Sequence, residues 1–360
     1  MAVIFVRIGT ASVQSRSPAS EAGFIMEDHS VLKEPVQIKN VSLKNRLVMP
    51  PMATYKTAGD GKVTQDILDY YAARAEGGKI GLIITEHGYI CRQGKAGEKQ
   101  ISFAADADPE GLKKLVDVIH QNGSKAIAQL NHAGSAASEA VTGEKPVSAS
   151  RVILPVTPPM GDGTVPEELT EAQIEEIVQA FADAAVRAKE AGYDGVEIHS
   201  AHSYLLNQFY SPLTNQRTDA YGGSLDNRLR IHREVIAAVR AAVGPDYLVA
   251  FRLGGCDYME GGSTIEDSVY AAKVFEEAGI DLIDLSGGMC RFTRPGHEEA
   301  GYFKDMSLAV KAAVNVPVIL TGGVKTAEEA EALLAEGAAD LIGVGRELLK
   351  NPKWADEQLN

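Results

Sequence analysis

Cysteine is scarce in this chain, whose 360 residues contain only Cys91, Cys256 and Cys290. The three are far apart in sequence, and no two of them form a C-x-x-C pair. Disulfide frameworks and cysteine-rich metal centres need paired or closely spaced cysteines, so neither is predicted. A reducing, cytoplasmic compartment fits this cysteine content best, and we expect no metal site.

Positive charge is also in deficit. The chain has 35 lysines and arginines against 49 aspartates and glutamates, a formal net charge of −14. Such a charge repels nucleic-acid phosphates and anionic lipid surfaces. No apolar run approaches the roughly 20 residues of a membrane span. We therefore expect a small molecule or a protein as partner, and neither nucleic acid nor membrane; a homo-oligomer is compatible with the sequence.

The first 25 residues differ in composition from the rest of the chain. They are poor in acidic residues, contain Arg7 and Arg16 with several serines, and lack the apolar core of a signal peptide. We interpret residues 1–25 as a leader-like or disordered extension. Residues 26–360 show no further break in composition, so we expect them to form a single domain.

Eight apolar segments of strand length, bounded by Gly, Pro or Asn, follow one another along that domain. They lack two-residue alternation, as is typical of parallel strands that are covered on both faces. The sequence therefore predicts a parallel sheet. The segments are residues 46–52, 80–86, 125–131, 195–200, 247–254, 281–288, 316–323 and 339–346.

Helix-start signals lie between these segments and predict an α/β fold. Three capping boxes begin helical patterns, at Thr170–Gln173, Thr264–Asp267 and Thr326–Glu329, and Ser224 is placed to cap a fourth pattern over 225–242. Eight strands that alternate with helices favour a closed (β/α)8 TIM barrel. An open doubly wound sheet is the alternative. Such a sheet usually has a Gly-rich fingerprint after its first strand, where this chain has "PPMATYKTAGDG".

Polar residues concentrate where the predicted strands end, which is where a TIM barrel carries its chemistry. Packing alone does not explain so many of them at one rim, so we predict a binding site there. The residues are Gln129 and His132 at the third strand, His199, His202 and Tyr204 at the fourth, and Arg252 at the fifth.

The loops after the seventh and eighth strands predict a phosphate site. They read "LTGG", ending in Gly322 and Gly323, and "VGRE", which contains Gly345 and Arg346. Glycines let the backbone N–H groups approach a phosphate closely, and an arginine adds a bidentate cation. An ordinary turn beside a surface arginine is the structural alternative.

The residues at the end of the first strand indicate which kind of ligand carries the phosphate. Pro50, Pro51 and Met52 form a rigid apolar platform that suits a flat aromatic ring. Gln129 offers both a donor and an acceptor, and Arg252 offers a fixed cation. Together they match a planar ring with carbonyl and N–H groups, such as flavin.

At this point the chain resembles the old yellow enzyme family of FMN-dependent ene-reductases, in its bacterial, thermophilic-like, single-domain branch. The resemblance runs from about Asn45 to Pro352. Its most specific stretch is "IHSAHSYL" followed by "SPLTNQRTDAYGGSLDNR". The segments "NRLVMPPM", "AQLNHAG", "FRLG", "TGGV" and "LIGVGRELLKNP" match the family's cofactor segments in order.

The resemblance implies a role for each matched residue. His199 and His202 would bind the electron-withdrawing oxygen of an activated alkene, Tyr204 would donate the proton, and Tyr55 would line the substrate pocket. NADPH or NADH would reload a noncovalently bound FMN. The residues implied to contact FMN are Pro50, Pro51, Met52, Ala53, His87, Gln129 and Arg252, with Gly322, Gly323, Gly345 and Arg346 at its phosphate.

Other functions stay open on the residues alone. "HSAHS" could place two histidines on a metal, but it lacks the Glu of H-E-x-x-H and an evident third ligand. A phosphate-dependent lyase or isomerase would need a lysine or carboxylate base at the rim, and no lysine is found at the strand ends. A non-catalytic flavin-binding barrel is the remaining alternative.

Overall fold

A computed structural model describes residues 30–359 of the chain. Its centre is a closed barrel of eight parallel strands, in which each strand pairs with its sequence neighbours and the last pairs with the first. The TIM-barrel prediction is confirmed, and the open sheet is wrong. The predicted extension over residues 1–25 lies outside the described residues.

All eight predicted strands are present. They are β1 Leu47–Met49, β2 Leu82–Tyr89, β3 Lys125–Asn131, β4 Gly195–Ser200, β5 Leu248–Cys256, β6 Leu282–Gly287, β7 Val318–Thr321 and β8 Leu341–Gly343. Four predicted carboxyl-terminal ends extend too far, those of β1, β6, β7 and β8, and two of them have an evident backbone reason. β1 stops at Met49 because Pro50 and Pro51 have no N–H for the ladder, and β7 stops before Gly322, whose φ of +144° is not a strand conformation.

The strands are apolar on both faces because each face packs against a different layer. Val48, Leu82 and Ile84 belong to an inner cluster inside the barrel. Leu47 and Ile83, one residue away along the same strands, belong to the outer cluster beneath the helices. This is why the segments show no polar alternation.

A helix covers the barrel after each strand. The main helices are α1 Gln65–Ala75, α2 Pro109–His120, α3 Glu171–Glu190, α4 Arg230–Val243, α5 Ile265–Ala278, α6 Lys304–Lys311, α7 Ala327–Ala335, α8 Arg346–Lys350 and α9 Trp354–Gln358. Short helices lie in the connections at Glu139–Thr142, Leu205–Tyr210 and Leu225–Arg228, with 3-10 turns at Arg92–Gly94 and Gly134–Ala136. None of the helices within residues 30–359 offers a stretch apolar and long enough for a bilayer span.

The predicted capping boxes at α3, α5 and α7 all form. The fourth helix start was wrong in detail. Ser224 caps the short helix Leu225–Arg228 rather than α4, because a turn at Leu229 separates the two helices.

A hairpin closes one end of the barrel. Its strands, Val36–Ile38 and Val41–Leu43, place Ile38, Val41 and Leu43 in the inner cluster beside the first residues of β2, β5 and β6. The other end, where the strands finish, stays open. A second small pair, Val147–Ser148 with Glu167–Glu168, lies in the long connection after β3.

Candidate active site

One cavity of about 320 Å³ crosses the open end of the barrel. It reaches from β4 to β8, which stand on opposite sides of the closed sheet. Every site residue expected from the sequence except His132 lines it, together with several that were not expected. The expected ones are Pro50, Pro51, Met52, Ala53, Tyr55, His87, Gln129, His199, His202, Tyr204, Arg252, Gly322, Gly323, Gly345 and Arg346.

The glycine-rich end of the cavity is shaped for a compact polar group. Gly323 has φ +74°, and a Cβ there would stand 2.1 Å from the backbone oxygen of Glu299, so no other residue fits without rearrangement. Gly345 faces the cavity, where a Cβ would meet Met52 and Pro50 at 3.4 Å. Arg346 begins α8 and donates from Nη2 to the hydroxyl of Tyr302 at 3.1 Å, which leaves its other donors available.

The wall beside β1 is apolar and flat. Pro50, Pro51 and Met52 follow the last residue of that strand and face the cavity. Thr321, at the end of β7, has a buried hydroxyl with no hydrogen-bond partner among the described residues. A buried donor without a partner inside a cavity indicates a ligand group that would satisfy it. These features fit a planar ring system with polar edges and a phosphate tail.

A buried polar network supports one edge of that cavity. The amide Nε2 of Gln129 donates to Glu197 Oε1 at 2.8 Å, and Arg252 Nε lies 3.4 Å from Asp284 Oδ2. Burial, and then the neighbouring Asp284, raise the pKa of Glu197 well above its ordinary value. Burial also raises the pKa of Asp284, to about 6, but the facing Arg252 opposes this rise, so Asp284 is the stronger acid of the two and carries the charge at neutral pH. The network therefore balances the arginine charge inside the barrel.

The histidine pair lies at the opposite end of the cavity from the glycines. The rings of His199 and His202 are 5.1 Å apart between centroids, and the ring of Tyr204 is 5.2 Å from that of His199. His202 Nε2 is 2.7 Å from the hydroxyl of Ser286 on β6, which ties this loop to a second strand. The three side chains therefore face one small volume.

Backbone conformation confirms that this loop is under constraint. His202 and Ser203 have φ of +59° and +67°, in the left-handed region that side chains other than glycine rarely adopt. Tyr55, across the cavity, has φ +56°. Such conformations persist where surrounding contacts determine them, and they concentrate at functional sites.

Both histidines are neutral. Burial lowers the pKa of His199 well below its ordinary value, and the charge that would form on His202 and the charge of Arg252 lower it further. Burial and Arg252 do the same for His202. The Nδ1 of His199 accepts the N–H of Ala201 at 3.3 Å, so its proton is on Nε2. His199 therefore presents a neutral N–H donor.

Tyr204 is protonated across the range in which the protein would work. Burial raises the pKa of its hydroxyl above the ordinary value, and the nearby Tyr55 adds to that, while the positive charge of Arg291 opposes it. A phenol that stays protonated can donate a proton. Its ring also stands 5.2 Å from that of His87, which faces the same volume.

Several lining residues carried no motif in the sequence. Arg291 is the most informative, because an arginine soon after the double glycine of β6 repeats the pattern of Arg346 after Gly345, and this signal was overlooked. The others are apolar, aromatic or small residues whose neighbours in sequence do not point to a site. They are Met160, Phe292, Tyr302, Thr321, Val324, Gly343 and Leu349.

His132 does not join the site although it follows β3. Its Nδ1 accepts the N–H of Gly134 at 3.0 Å, and the ring is buried away from the cavity. Burial lowers its pKa to about 3. His132 is therefore a packed core residue. Its predicted place at the end of β3 is correct, but its prediction as part of the binding site was wrong.

The long connection after β4 is held by structural contacts. Arg217 pairs with Asp219, Asn227 donates to the carbonyl of Gly222 at 2.9 Å, and Arg228 donates to that of Tyr210 at 2.8 Å. Across residues 30–359, no three His, Cys, Asp or Glu side chains come together as ligands for a metal ion.

Comparison with known proteins gives a consistent result. The profile of the NADH:flavin oxidoreductase / NADH oxidase family matches residues 31–358. The chain is 43% identical over 324 residues to an NADH oxidase from Thermoanaerobacter brockii, and this match covers 88% of the chain and 49% of that protein. It is 39% identical over 322 residues to an NADPH dehydrogenase from Halalkalibacterium halodurans, with 89% and 91% covered.

A solved structure is similar over the same range. The old yellow enzyme homologue from Zymomonas mobilis aligns with a TM-score of 0.78 at 28% identity, over 89% of this chain and 90% of that one. The chain thus spans about half the length of the NADH oxidase and nearly all of the NADPH dehydrogenase.

Proposed function

The chain belongs to the NADH:flavin oxidoreductase / NADH oxidase family, that of the old yellow enzymes, and on that premise we propose that it is an FMN-dependent ene-reductase. It would use NAD(P)H to reduce the carbon–carbon double bond of α,β-unsaturated carbonyl or nitro compounds. The observation that carries this proposal is the single cavity that joins the glycines and Arg346 at one end to His199, His202 and Tyr204 at the other.

FMN fits the groups that the cavity presents. Gly322, Gly323, Gly345 and Arg346 would hold its phosphate, and the wall of Pro50, Pro51, Met52 and Ala53 would pack on its ring. Gln129 and Arg252 would meet the polar edge, and Thr321 would find there the partner that its hydroxyl lacks. When bound, FMN supplies a hydride, accepted from NAD(P)H and passed to the β-carbon of the alkene.

The chain's own residues complete the addition of two hydrogens. Negative charge that develops on the activating oxygen is stabilised by the N–H donors of His199 and His202, and such donors contribute about 2.7–4 kcal/mol each where one has been removed. Tyr204 delivers a proton to the α-carbon, which forms the second C–H bond. Positioned general acids of this kind contribute roughly 10²–10⁴-fold. The alkene gains one hydride and one proton, and NAD(P)H is oxidised.

The lining of the cavity disfavours a lyase or isomerase. Those reactions need a lysine or carboxylate base, and among the described residues that line the cavity there is neither. A non-catalytic flavin-binding barrel would share the cofactor site, so only an experiment on turnover separates it from the ene-reductase.

A visible absorption spectrum followed by two additions tests the proposal. The purified protein should be yellow, should bleach on anaerobic titration with NADPH or NADH, and should recover its colour when cyclohexenone is added. A colourless protein that does not take up added FMN would contradict the cofactor. A yellow protein that bleaches but does not recover with cyclohexenone or a nitroalkene would contradict the ene-reductase.

A further inference from the structure

The cavity carries positive charge that the chain as a whole lacks. Arg252, Arg291 and Arg346 line it, and no aspartate or glutamate is among its lining residues in the described part of the chain. Because the net charge of the chain is −14, composition does not account for this concentration of cations. Low-dielectric walls strengthen such a field for an anion. The cavity is therefore suited to bind more than one anionic group.

Two of the three arginines have an evident negatively charged partner, one on the protein and one on the proposed cofactor. Arg252 lies 3.4 Å from Asp284, whose charge balances it within the barrel. Arg346 stands at the glycine-rich end beside Gly345, where the phosphate of FMN would lie. Neither is free to bind a further anion at the other end of the cavity.

Arg291 has no such counterpart. No carboxylate within residues 30–359 forms an ion pair with it, and its Nε is buried without a hydrogen-bond partner there. Its guanidinium lies 5.4 Å from the ring of Phe292. Arg291 as a whole is only partly buried. Among the described residues, Arg252 Nε also lacks a hydrogen-bond partner, but it has the Asp284 carboxylate 3.4 Å away, whereas Arg291 Nε has no carboxylate paired with it and would be satisfied by an acceptor on a ligand.

The loop that carries Arg291 is held in place. The backbone N–H of Arg291 donates to Gly288 O at 3.0 Å, and its φ of +65° is left-handed. The next residue, Phe292, is fixed by the hydroxyl of Tyr302, which donates to the Phe292 carbonyl at 2.6 Å. The backbone from which the Arg291 side chain projects is therefore fixed by contacts within the loop.

Arg291 stands at the end of the cavity where the alkene would react. Burial has the largest effect on the pKa values there: it lowers the pKa of His202 and raises the pKa of Tyr204. The positive charge of Arg291 lowers the pKa of both residues. The guanidinium is thus close enough to His202 and Tyr204, which would flank the substrate, for its charge to affect their protonation. The strand before its loop, β6, also carries Ser286, whose hydroxyl is 2.7 Å from His202 Nε2.

We propose that Arg291 binds a carboxylate carried by the alkene substrate, so that the preferred substrates are enones or related activated alkenes that are also acids. The activating oxygen would bind to His199 and His202, and the carboxylate, a few bonds away, would pair with Arg291. This inference rests on the proposed ene-reductase function. The phosphates of NAD(P)H are the competing anions, and the proximity of Arg291 to His202 and Tyr204 favours a group attached to the reacting molecule.

A matched pair of substrates tests the proposal in the FMN-loaded protein. trans-4-Oxo-2-pentenoic acid and its methyl ester differ in the charge of one group, and the ratio of their kcat/KM values reports its recognition. The wild-type protein should prefer the acid. Arg291→Gln should lower the acid-to-ester ratio by roughly 10–100-fold, as expected for a lost hydrogen bond between charged groups, and Arg291→Lys should restore part of it.

Arg294→Gln is the matched control. Arg294 is three residues further along the same loop, pairs with Asp305 at 2.9 Å and does not line the cavity, so its loss removes the same charge without removing the proposed contact. The ratio should keep its wild-type value in this variant. The proposal would be overturned if Arg291→Gln lowered kcat/KM equally for the acid and the ester. It would also be overturned if Arg294→Gln lowered the acid-to-ester ratio as much as Arg291→Gln does.

Two further measurements separate the alternatives. If Arg291→Gln slows anaerobic flavin reduction by NADPH and leaves the acid-to-ester ratio intact, Arg291 binds the reductant and the proposal is wrong. Calorimetric binding of 4-hydroxybenzoate and 4-hydroxybenzamide needs no turnover, so it remains decisive even if neither alkene is reduced and the ene-reductase function fails. The carboxylate should bind more tightly to the wild type, and Arg291→Gln should remove the difference; equal binding to the wild type would contradict the proposal.

Discussion

Gln100 donates a hydrogen bond from its side-chain amide to Nδ1 of His87 across 2.9 Å. The orientation of this amide is determined, because its Oε1 accepts the N–H of Ala96 at 2.6 Å and its Nε2 must therefore face the ring. A second amide, from Asn131, approaches the same Nδ1 at 3.2 Å. His87 thus carries its proton on Nε2, and the ring that lines the cavity is a neutral donor.

This relationship predicts the tautomer of His87. Burial, followed by the charge of Arg252, lowers the pKa of His87 to about 4. Long-range ¹H–¹⁵N spectra of protein labelled at histidine should show the neutral Nε2–H form from pH 6 to 8, assigned by its loss in His87→Gln. An Nδ1–H tautomer, or protonation with a midpoint near 6.5, would contradict the arrangement.

Replacing Arg346 with alanine should weaken retention of FMN. The guanidinium is the only charged group at the glycine-rich end of the cavity among the described lining residues, and the loss of a charged hydrogen bond raises a Kd by roughly 10–100-fold. Lys350→Ala is the control, since Lys350 lies on the same short helix but pairs with Glu347 and is outside the cavity lining. FMN content after dialysis is the measurement. Full occupancy in Arg346→Ala would exclude this phosphate site.

Replacing both His199 and His202 with alanine should separate cofactor binding from substrate reduction. The protein should stay yellow, because neither side chain is at the phosphate end, but phenol binding should be lost. Reoxidation by cyclohexenone should slow by at least about 10²-fold, since each oxyanion donor contributes about 2.7–4 kcal/mol. His120→Ala, on the outer helix α2, is the control for losing an imidazole. Stopped-flow traces that match the wild type would rule out the two donors.

Changing Tyr204 to phenylalanine removes only the hydroxyl. The ring that packs 5.2 Å from His199 and His87 remains, so FMN binding and reduction by NAD(P)H should persist. Reoxidation by cyclohexenone should slow by roughly the 10²–10⁴-fold expected of a general acid. Alkenes that can take the proton from water should be affected less. A wild-type rate with cyclohexenone would mean that another residue or solvent supplies the proton.

His232 should give the fold a measurable pH dependence. It is fully buried in α4, its Nε2 donates to the carbonyl of Leu206 at 3.0 Å, and burial lowers its pKa to about 3 against an unfolded value near 6.5. The unfolded state therefore binds a proton between these pH values that the folded state does not. The stability that His232 contributes is present above pH 6.5 and is lost as the pH falls below it, by about 1.4 kcal/mol per pH unit.

A comparison with His232→Gln isolates this effect from the other titrating groups. Glutamine keeps a donor for Leu206 but does not titrate, so the variant should be less stable than the wild type at pH 7.5. The difference in the free energy of unfolding in urea should shrink as the pH falls from 6.5 to 5. A difference that is constant over this range would contradict a neutral, buried His232.

The architecture could be predicted because it follows from local signals. Apolar segments of strand length, covered on both faces, and capping boxes such as Thr170–Gln173 act over a few residues, so they were visible in the sequence. The same holds for residues that end a strand. Since parallel strands of a closed barrel all end at one rim, His199 on β4 and Gly345 after β8 could be assigned to one site without knowing any distance.

Two of the boundaries that were wrong depended on backbone details with a physical cause. The ladder stops at Met49 because prolines follow it, and the helix that Ser224 begins is interrupted at Leu229. His132 shows the larger difficulty. Its position after β3 matches the rim, but its ring turns to the backbone of Gly134, and strand periodicity does not determine which way a loop side chain turns.

The sequence by itself determined the barrel, the rim and the types of residue that the rim carries, because these depend on local patterns and on a small number of allowed topologies. Only the tertiary structure decided the protonation of Glu197 beside Asp284, the tautomer of His87 and the position of Arg291 near Tyr204. Each of these depends on burial and on the charge of a group remote in sequence. Electrostatic energies vary steeply with distance and surroundings, and barrel closure is what brings those groups together.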